Sequence, residues 1–522
     1  MKPIDPAYDA FGAASAALEG GDTEAAITVL RSALAADLFG SKENALCHFQ
    51  LGSILLDEGR RDEAGAHFRE AHRLDPKIAD FPLRIGIECA QEGMLDEAES
   101  SLKLALSFGR DNPAALACLG DVVRRQGRLE EGIRLLEAAR RLAPESVDVL
   151  SNLGIALQQQ AGRADEAIAV LEEALRLSPT NPYVLNNLAM ILKQSGKFEE
   201  ALPHLNEAVR QAPGFAEARL NRAMLLLLCG QFEEGWREYE GRPKYPVPEG
   251  RDLAAHLSVG LPLGNLTVLL HAEQGLGDLI QFVRYAKWLA DCGAKVLVEC
   301  PASAHELLLS VPGVAGVVAT GALPATGFDL NLRLLSLPGL VHPQAGFLAV
   351  SEPYLRVDAA RVGHWARHLG PRQDGRVRVG IVWTGSPAHP NNKHRSVPVE
   401  ALRPLLEHPR IEAYSLQAGA GPGELVPPER DWGRENLPET AAMMMALDLV
   451  ITVDTMPAHL AGALGRPVWT MLGFSPDWRW GHRGDTTPWY PSMVLFRQPA
   501  PGDFASVVER VARALDNTSV EP

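Results

Sequence analysis

The residues best suited to chemistry fall in four short stretches of the second half of the chain. In DLVITVDTMPAHLAGALGRPVW, Asp448 to Trp469, a β-branched run from Leu449 to Val453 lies between two aspartates. It reads as a buried parallel strand ending at Asp454. Thr455 can cap the helix that follows, Pro457 suits its first turn, His459 to Leu464 continues it and Gly465 stops it. A second apolar strand, Pro467 to Leu472, completes a strand–helix–strand unit. The start of such a helix offers unpaired N–H groups and a positive dipole end to an anion, typically a phosphate, although many such units bind nothing. NNKHRS follows the strand that ends at Trp383. There Lys393 supplies a point charge, Arg395 a fork that grips two oxygens, and Ser396 a hydroxyl; the plainer reading is a solvated loop. Gly275-Leu276-Gly277-Asp278 is a glycine-rich strand-to-helix turn in which Asp278 suits a helix cap, and His271 ends the strand before it. SPDWRWGHR sets Trp478 and Trp480 on either side of Arg479.

Two sets of strands must position these stretches. Leu266 to His271, Lys295 to Cys300, Val314 to Thr320 and Phe328 to Leu332 form the first, with helices at Leu279 to Ala290 and Ser303 to Leu309. Pro353 to Asp374 reads as a linker. The second set is Val377 to Trp383, Ile411 to Gln417, Leu449 to Asp454, Pro467 to Leu472 and Met493 to Arg497. Helices at Val399 to Leu406 and Glu439 to Leu447 lie between them, and Phe504 to Leu515 closes the chain. Two α/β halves facing across a cleft place a ligand at the carboxyl ends of strands, between the halves. Gln417 to Glu424, QAGAGPGE, is a glycine-rich loop without the Walker pattern.

The first half repeats every 34 residues from Ala45. Counted from Ala45, Ala79, Pro113 and Val147, the eighth position is Gly52, Gly86, Gly120 and Gly154. Alanines recur where second helices open and seven residues on, and Pro76, Pro144, Pro179 and Pro213 close units. This pattern resembles tetratricopeptide repeats. One extra residue falls in the turn Gln158 to Arg163; a degenerate repeat precedes Ala45, and Phe215 to Tyr239 is the last. Such arrays bury their faces by stacking and leave a concave groove for an extended partner. The sixth position, on the groove-lining helix, becomes Asn152, Asn187 and Asn221 in the later units, three side chains able to pair with a peptide backbone. The alternative is that asparagine is merely tolerated on an exposed helix face.

Composition bounds the rest. With 46% hydrophobic and 22% charged residues the chain is globular, and a net charge of −15 argues against broad nucleic-acid or anionic-membrane binding. Six scattered cysteines without C-x-x-C pairs fit a reducing compartment and no zinc site. No apolar run is long enough to span a bilayer, and MKPIDPAYDA lacks a leader pattern, so a cytoplasmic protein without membrane insertion is expected.

HAEQGLGDLIQF, GIVWTG, NNKHRSVP, DLVITVDTMPAHLAGALGRPVW and PDWRW, in that order, resemble the GT-B glycosyltransferase part of bacterial repeat-fused proteins. The outline is similar to heptosyltransferases and to protein O-GlcNAc transferases, whose repeat domain also carries an asparagine ladder. The fold expected is an α-solenoid of tetratricopeptide repeats over 1–240, a linker over 241–264, and an α/β GT-B fold of two Rossmann-like domains facing across a cleft. Residues 265–358 would form the acceptor side and 359–522 the nucleotide-sugar side. The resemblance implies metal-independent, inverting transfer of a sugar from a nucleotide sugar, with no cofactor, to a Ser or Thr hydroxyl of a polypeptide held by the repeats. Flagellin is one such polypeptide, since repeat-fused enzymes that modify it with nonulosonic acids form a subgroup, with a monophosphate donor. A glycan or lipid-linked acceptor, or a non-catalytic scaffold with a decayed cleft, are the alternatives.

On this resemblance Asp454, Thr455 and His459 match the Asp-Thr-Gly-x-x-His donor pattern, with Met456 where glycine is usual and Pro457 beside it. Lys393, Arg395 and Ser396 meet the phosphates, and Gln417, with Ser415 on its strand, meets the base or ribose. Asp278 is the candidate base for the acceptor hydroxyl and His271 the second candidate. Trp478 and Trp480 wall the sugar pocket or serve as packing anchors. Asn152, Asn187 and Asn221 bind the peptide.

Overall fold

The computed structural model describes residues 6–36, 41–75, 80–108, 111–243, 251–258, 260–322, 327–345, 352–371, 376–389, 391–418, 430 and 436–517. The chain forms two compact units, Met1–Ile191 and Leu192–Pro522.

The first unit is built of helix pairs. Pro6–Glu19 pairs with Thr23–Ala35, Ser41–Asp57 with Arg61–Leu74, Asp80–Gln91 with Leu95–Phe108, Pro113–Arg125 with Leu129–Leu142, and Val147–Gln159 with Ala164–Leu177. Pro182–Gln194 opens the next pair. The stretch before Ala45 is therefore a helix pair of its own. Within each pair the chain turns at a glycine with positive φ, as at Gly93 (78°), Gly127 (89°) and Gly162 (81°). Gly127 and Gly162 are 35 apart, which places the extra residue in the turn where the sequence puts it. The eighth-position glycines have a packing reason: a Cβ on Gly86, Gly120 or Gly154 would lie 2.5, 2.7 or 2.6 Å from Cγ of Leu102, Leu136 or Leu171. The two helices of a pair can approach this closely only without a side chain there, and overpacking costs about 1–3 kcal/mol per site. Pro76 and Ala79 lie outside the described residues.

The second unit contains the remaining repeat helices, Phe198–Gln211, Ala216–Leu228 and Phe232–Tyr239, together with the α/β part. The compositional boundary at 240 therefore cuts through a compact body. The reason is an aromatic cluster: the Trp236 ring meets Trp478 edge-on at 5.1 Å and Phe282 at 5.9 Å, and Trp236 is 2% exposed. Burying this much aromatic surface fixes the last repeat helix to both α/β halves.

Strands β1 (Arg251–Asp252), β2 (Thr267–His271), β3 (Lys295–Cys300), β4 (Val314–Ala319) and β5 (Leu330–Arg333) form a parallel sheet in the order β1-β5-β2-β3-β4. The expected linker thus supplies an edge strand, too short and too polar to stand out in sequence. Strands β6 (Val377–Ile381), β7 (Ile411–Ser415), β8 (Leu449–Val453), β9 (Val468–Leu472) and β10 (Met493–Arg497) form a second parallel sheet, β10-β9-β8-β6-β7. Two Rossmann-like halves of a GT-B fold result. In the second sheet the strand order reverses between β6 and β8, and in the first between β2 and β5. The loops leaving β2, β6 and β8 therefore open into the crevices where open α/β sheets bind ligands.

Two stretches differ from expectation. The linker Pro353 to Asp374 contains a helix, Ala359–His368, capped by Asp358, whose carboxylate accepts from Ala360 N–H at 2.6 Å. Its Trp365 indole N–H donates to Glu439 at 2.7 Å. The single helix expected over Leu279 to Ala290 is instead Leu276–Phe282, a tight turn at Val283–Tyr285, and Ala286–Asp291. Arg284 occupies that turn and bonds back to the Gln281 carbonyl at 2.7 Å.

Candidate functional site

A cavity of about 1310 Å3 lies within the second unit, lined from three sides. The loop after β2 and the start of the Leu276–Phe282 helix contribute Gln274 to Asp278. The loop after β6 contributes Thr384 to Pro387 and Arg395, the loop after β7 Gln417, and the loop after β8 Asp454 to Pro457. Leu220 and Met224 of the Ala216–Leu228 helix, with Tyr239 and Arg242, form the third wall.

The Met456–Ala463 helix begins at this cavity with Pro457 in its first turn. Thr455 stands at its N-cap, but its side chain caps nothing; the hydroxyl turns back to the Val453 carbonyl at 3.4 Å. Pro457 has no N–H and the Ala458 N–H donates to the Thr455 carbonyl at 3.0 Å, which leaves the Met456 N–H and the positive dipole end to meet an anion. Arg395 reaches the same place, donating to the Asp454 carbonyl at 2.9 Å. Gly385 leaves room for it: a Cβ there would sit 2.6 Å from the Arg395 guanidinium. Gln417 lines the cavity while its side-chain carbonyl accepts from Trp383 N–H (3.2 Å) and Thr384 N–H (3.0 Å), pinning the loop after β6. Ser415 is fully buried, and residues 419–424 of the glycine-rich loop lie outside the described set. The Met456 side chain stands where the family pattern has none, on the cavity wall.

The cleft's electrostatic centre is Arg479, which sequence reasoning left between two tryptophans without a role. Its guanidinium pairs with Asp278, with Asp477 at 2.7 Å and with the Gln281 side-chain oxygen at 3.0 Å, and lies 4.3 Å from the Trp478 ring centroid. Burial pushes the Asp477 carboxyl up, but the Arg479 charge and N–H bonds outweigh it and hold it below the ordinary range. Asp454 moves the other way, raised by burial and by the Asp477 charge, against the pull of Trp480, Arg395 and Arg479. The same cluster thus favours the protonated form of Asp454 and the ionised form of Asp477. Asp278 also accepts from Gly275 N–H at 3.2 Å: the helix begins at Leu276, so Asp278 is its third residue and caps back onto Gly275 instead of standing before the helix as an N-cap. His389, also unforeseen, lines the cavity and accepts at Nδ1 from Asn391 N–H at 3.1 Å.

His459 is 5% exposed, with Nδ1 3.0 Å from the Tyr490 hydroxyl and its ring stacked on Trp480 at 5.1 Å. Burial, reinforced by Arg479, pulls its imidazole down to about 3, so it meets a ligand uncharged. Gly277 lets the two cleft helices touch: a Cβ there would lie 2.9 Å from His459 Cδ2 and 3.6 Å from Met456 Cα.

Several expected site residues stand elsewhere. His271 is buried outside the cavity lining, bonded through Nδ1 to Glu299 at 2.6 Å. A residue at a strand's carboxyl end reaches the crevice only if its side chain points that way, and this one points into the sheet layer. Lys393 is exposed and Ser396 bonds Thr384 at 2.7 Å; neither lines the cavity, because Asn392–Arg395 is a helical turn that directs only Arg395 inward. Trp480 is 1% exposed and packs on His459 rather than walling a pocket, whereas Trp478 does line the cavity. In the first unit Asn152 is half-buried and the Asn187 amide donates to Ser151 of the preceding repeat at 3.1 Å. Asn221, in the second unit, is 7% exposed and offers a peptide little surface.

Among the described residues no group of three or more His, Cys, Asp or Glu could hold a metal ion, and no helix is long and apolar enough to cross a membrane.

With this geometry in view, the family matches divide along the chain. Residues 10–224 match the family described as cilia and flagella-associated protein 70 C-terminal domain, a tetratricopeptide repeat family. Residues 432–505 match glycosyltransferase family 9 (heptosyltransferase). That segment carries Asp454 to His459, Asp477, Arg479 and Tyr490. Among curated proteins, the chain is 27% identical over 318 residues to protein FlbA of Caulobacter vibrioides, covering 54% of this chain and 52% of that protein. It is 31% identical over 122 residues to the type IV pilus assembly protein PilF of Pseudomonas aeruginosa, covering 23% of this chain and 48% of that one. The chain thus spans about half the length of the curated relatives it matches. Among solved structures, a tetratricopeptide repeat protein of Thermus thermophilus aligns with TM-score 0.31 and 24% identity, over 35% of this chain and 99% of that one.

Proposed function

We propose that the protein is a metal-independent glycosyltransferase that moves a sugar from a nucleotide sugar to a hydroxyl of a polypeptide. The observation that carries this reading is the composition of one cleft wall. The segment matching the heptosyltransferase family supplies an uncapped helix start with Asp454, Thr455 and His459, and Arg395 reaches the same point. Departure of a nucleotide needs its growing negative charge stabilised, and preorganised N–H groups and cations in a closed site do this without a metal. Pro457 and Met456 border the phosphates, and Gln417 holds the loop against which the nucleoside lies. Asp278, on the opposite wall, takes the proton of the acceptor hydroxyl once Arg479 turns from it toward the donor's anionic group, and transfer inverts the anomeric carbon. Asn152 and Asn187 give the repeats polar groups for a polypeptide backbone, and in the second unit Leu220 and Met224 receive the acceptor's apolar groups at the cleft. Flagellin is the first polypeptide to try.

The test is incubation of the purified chain with a panel of nucleotide sugars and a flagellin, followed by intact mass analysis. A mass gain equal to one sugar, dependent on donor and lost in Asp278→Asn, supports the reading. A donor that is neither bound nor consumed defeats it.

A further inference from the structure

Behind the donor wall lies a buried cation with no carboxylate partner among the described residues. Arg284 is 3% exposed, and its N–H groups go to neutral oxygens: the Gln281 carbonyl at 2.7 Å, the Trp489 carbonyl at 2.8 Å and the Tyr354 hydroxyl at 3.0 Å. Its guanidinium lies 4.8 Å from the Tyr490 ring centroid, 4.9 Å from Tyr354 and 5.5 Å from Trp489. Tyr354 donates its own proton to the Ile280 carbonyl at 2.9 Å. The cluster joins the helix after β2, the crossing segment at Tyr354 and the loop before β10.

It reaches the cleft through Trp489, whose ring meets Trp478 edge-on at 6.4 Å, and through the 3.0 Å contact between the Tyr490 hydroxyl and His459 Nδ1. That contact has two possible polarities, and the polarity decides what His459 shows the cleft. A cation over the phenol ring draws density from its oxygen, which makes the hydroxyl a better donor and a poorer acceptor. The ring cannot move away, because it presses on Gly462, one turn from His459, where a Cβ would come within 2.4 Å of Tyr490 Cγ. The other face of the imidazole is held by Trp480.

We propose that Tyr490 is a positioning residue: its hydroxyl donates to His459 Nδ1 and fixes the tautomer that presents Nε2–H to the cleft, where a phosphate oxygen of the donor accepts it. The phosphate as recipient rests on the nucleotide-sugar reading above; the tautomer does not. Because the imidazole stays uncharged at neutral pH, the ring's donor capacity there is set by this hydrogen bond and not by titration. His459 Nε2 has no hydrogen-bond partner among the described residues, and the ring edge that carries it faces Gly277 on the cleft.

The test uses the full chain with histidine labelled in the imidazole nitrogens, His459 being assigned through His459→Gln. Long-range proton–nitrogen correlation should show His459 protonated at Nε2 and bare at Nδ1. Tyr490→Phe, which keeps the ring against Gly462, should mix the tautomers. The same variant should weaken binding of CMP or UDP, whichever the wild type holds more tightly, by the factor by which the Nε2–H fraction falls, about twofold for an even mixture. In His459→Gln, whose amide N–H stands in for Nε2–H, adding Tyr490→Phe should leave the affinity unchanged. A wild-type His459 protonated at Nδ1, a tautomer unmoved by Tyr490→Phe, or an unchanged affinity overturns the proposal. If the wild type shows the stated tautomer and binds neither CMP nor UDP, the nucleotide-sugar reading falls with its phosphate recipient, and the Tyr490–His459 assignment stands.

Discussion

Replacing Arg479 with methionine removes the cation that bridges two cleft carboxylates while preserving most of the side-chain volume over Trp478. Asp278 and Asp477 have side chains 16% and 34% exposed, and Arg479 10%. Leaving a buried charge without its partner costs about 3–5 kcal/mol, and the partial exposure of Asp477 discounts this toward about 3 kcal/mol. At roughly 2 °C per kcal/mol for a unit of this size, the α/β part should melt about 6 °C lower at pH 7. The pH dependence follows from the signs. In the wild type the Asp477 carboxyl lies below its ordinary value, so its contribution is present above the unfolded carboxylate range and is lost only as pH falls through the lower folded value. Without Arg479, burial raises the folded value against the lesser pull of Lys193, so the penalty is largest at neutral pH and shrinks on acidification as the carboxyl takes up a proton. Calorimetry of both proteins between pH 5 and 8 (roughly the range of greatest stability) reads this directly. Equal melting temperatures at pH 7, or a gap that widens as pH falls, would refute the placement of Arg479 as the clamp of the cleft.

Three further outcomes are expected. Gly277→Ala puts a Cβ 2.9 Å from His459 Cδ2, and Tyr490 and Trp480 keep that ring from retreating; a loss of about 1–3 kcal/mol in chemical denaturation is expected, and a neutral effect would mean the two cleft helices are not in contact as described. Asp278→Asn should abolish sugar transfer while leaving nucleotide affinity within about threefold, less than a pairwise hydrogen bond is worth, so unchanged turnover excludes it as the base. In the first unit His48 and His67 meet at 2.8 Å between their Nδ1 atoms, and burial lowers both imidazoles, with His48 and Arg31 adding to the effect on His67. Groups held below their unfolded value stabilise above it and lose that contribution as pH drops. The repeat unit should therefore melt lower at pH 5.5 than at 7.5 (on either side of the unfolded imidazole value, about 6.5), and His67→Gln should flatten the difference; a pH-independent melt would contradict it.

The α/β sheets were legible because their strands are short β-branched or apolar runs, most of them buried on both faces, and all nine runs appear within about two residues of their expected ends. The repeat was legible from glycines whose only tolerable neighbour is a leucine of the paired helix. What escaped was long-range geometry. Arg479 meets Asp278 across 201 residues, and Tyr490 meets His459 across 31; no local period announces either pair. Position at a strand end correctly marked the loops that line the cleft. It did not reveal which way each side chain points, which is why Arg395 faces the cavity while Lys393, Ser396 and His271 do not. Trp480 illustrates the same limit: its type suited a sugar pocket, and its burial against His459 gives it a packing role.

The measurement that bears most directly on the whole account is the mass of a flagellin incubated with the chain and each of a panel of nucleotide sugars. The account expects one donor to yield a discrete sugar-sized increment with release of free nucleotide, and Arg395→Ala to suppress both. Donors left intact and unbound across the panel, with the chain folded, would contradict it.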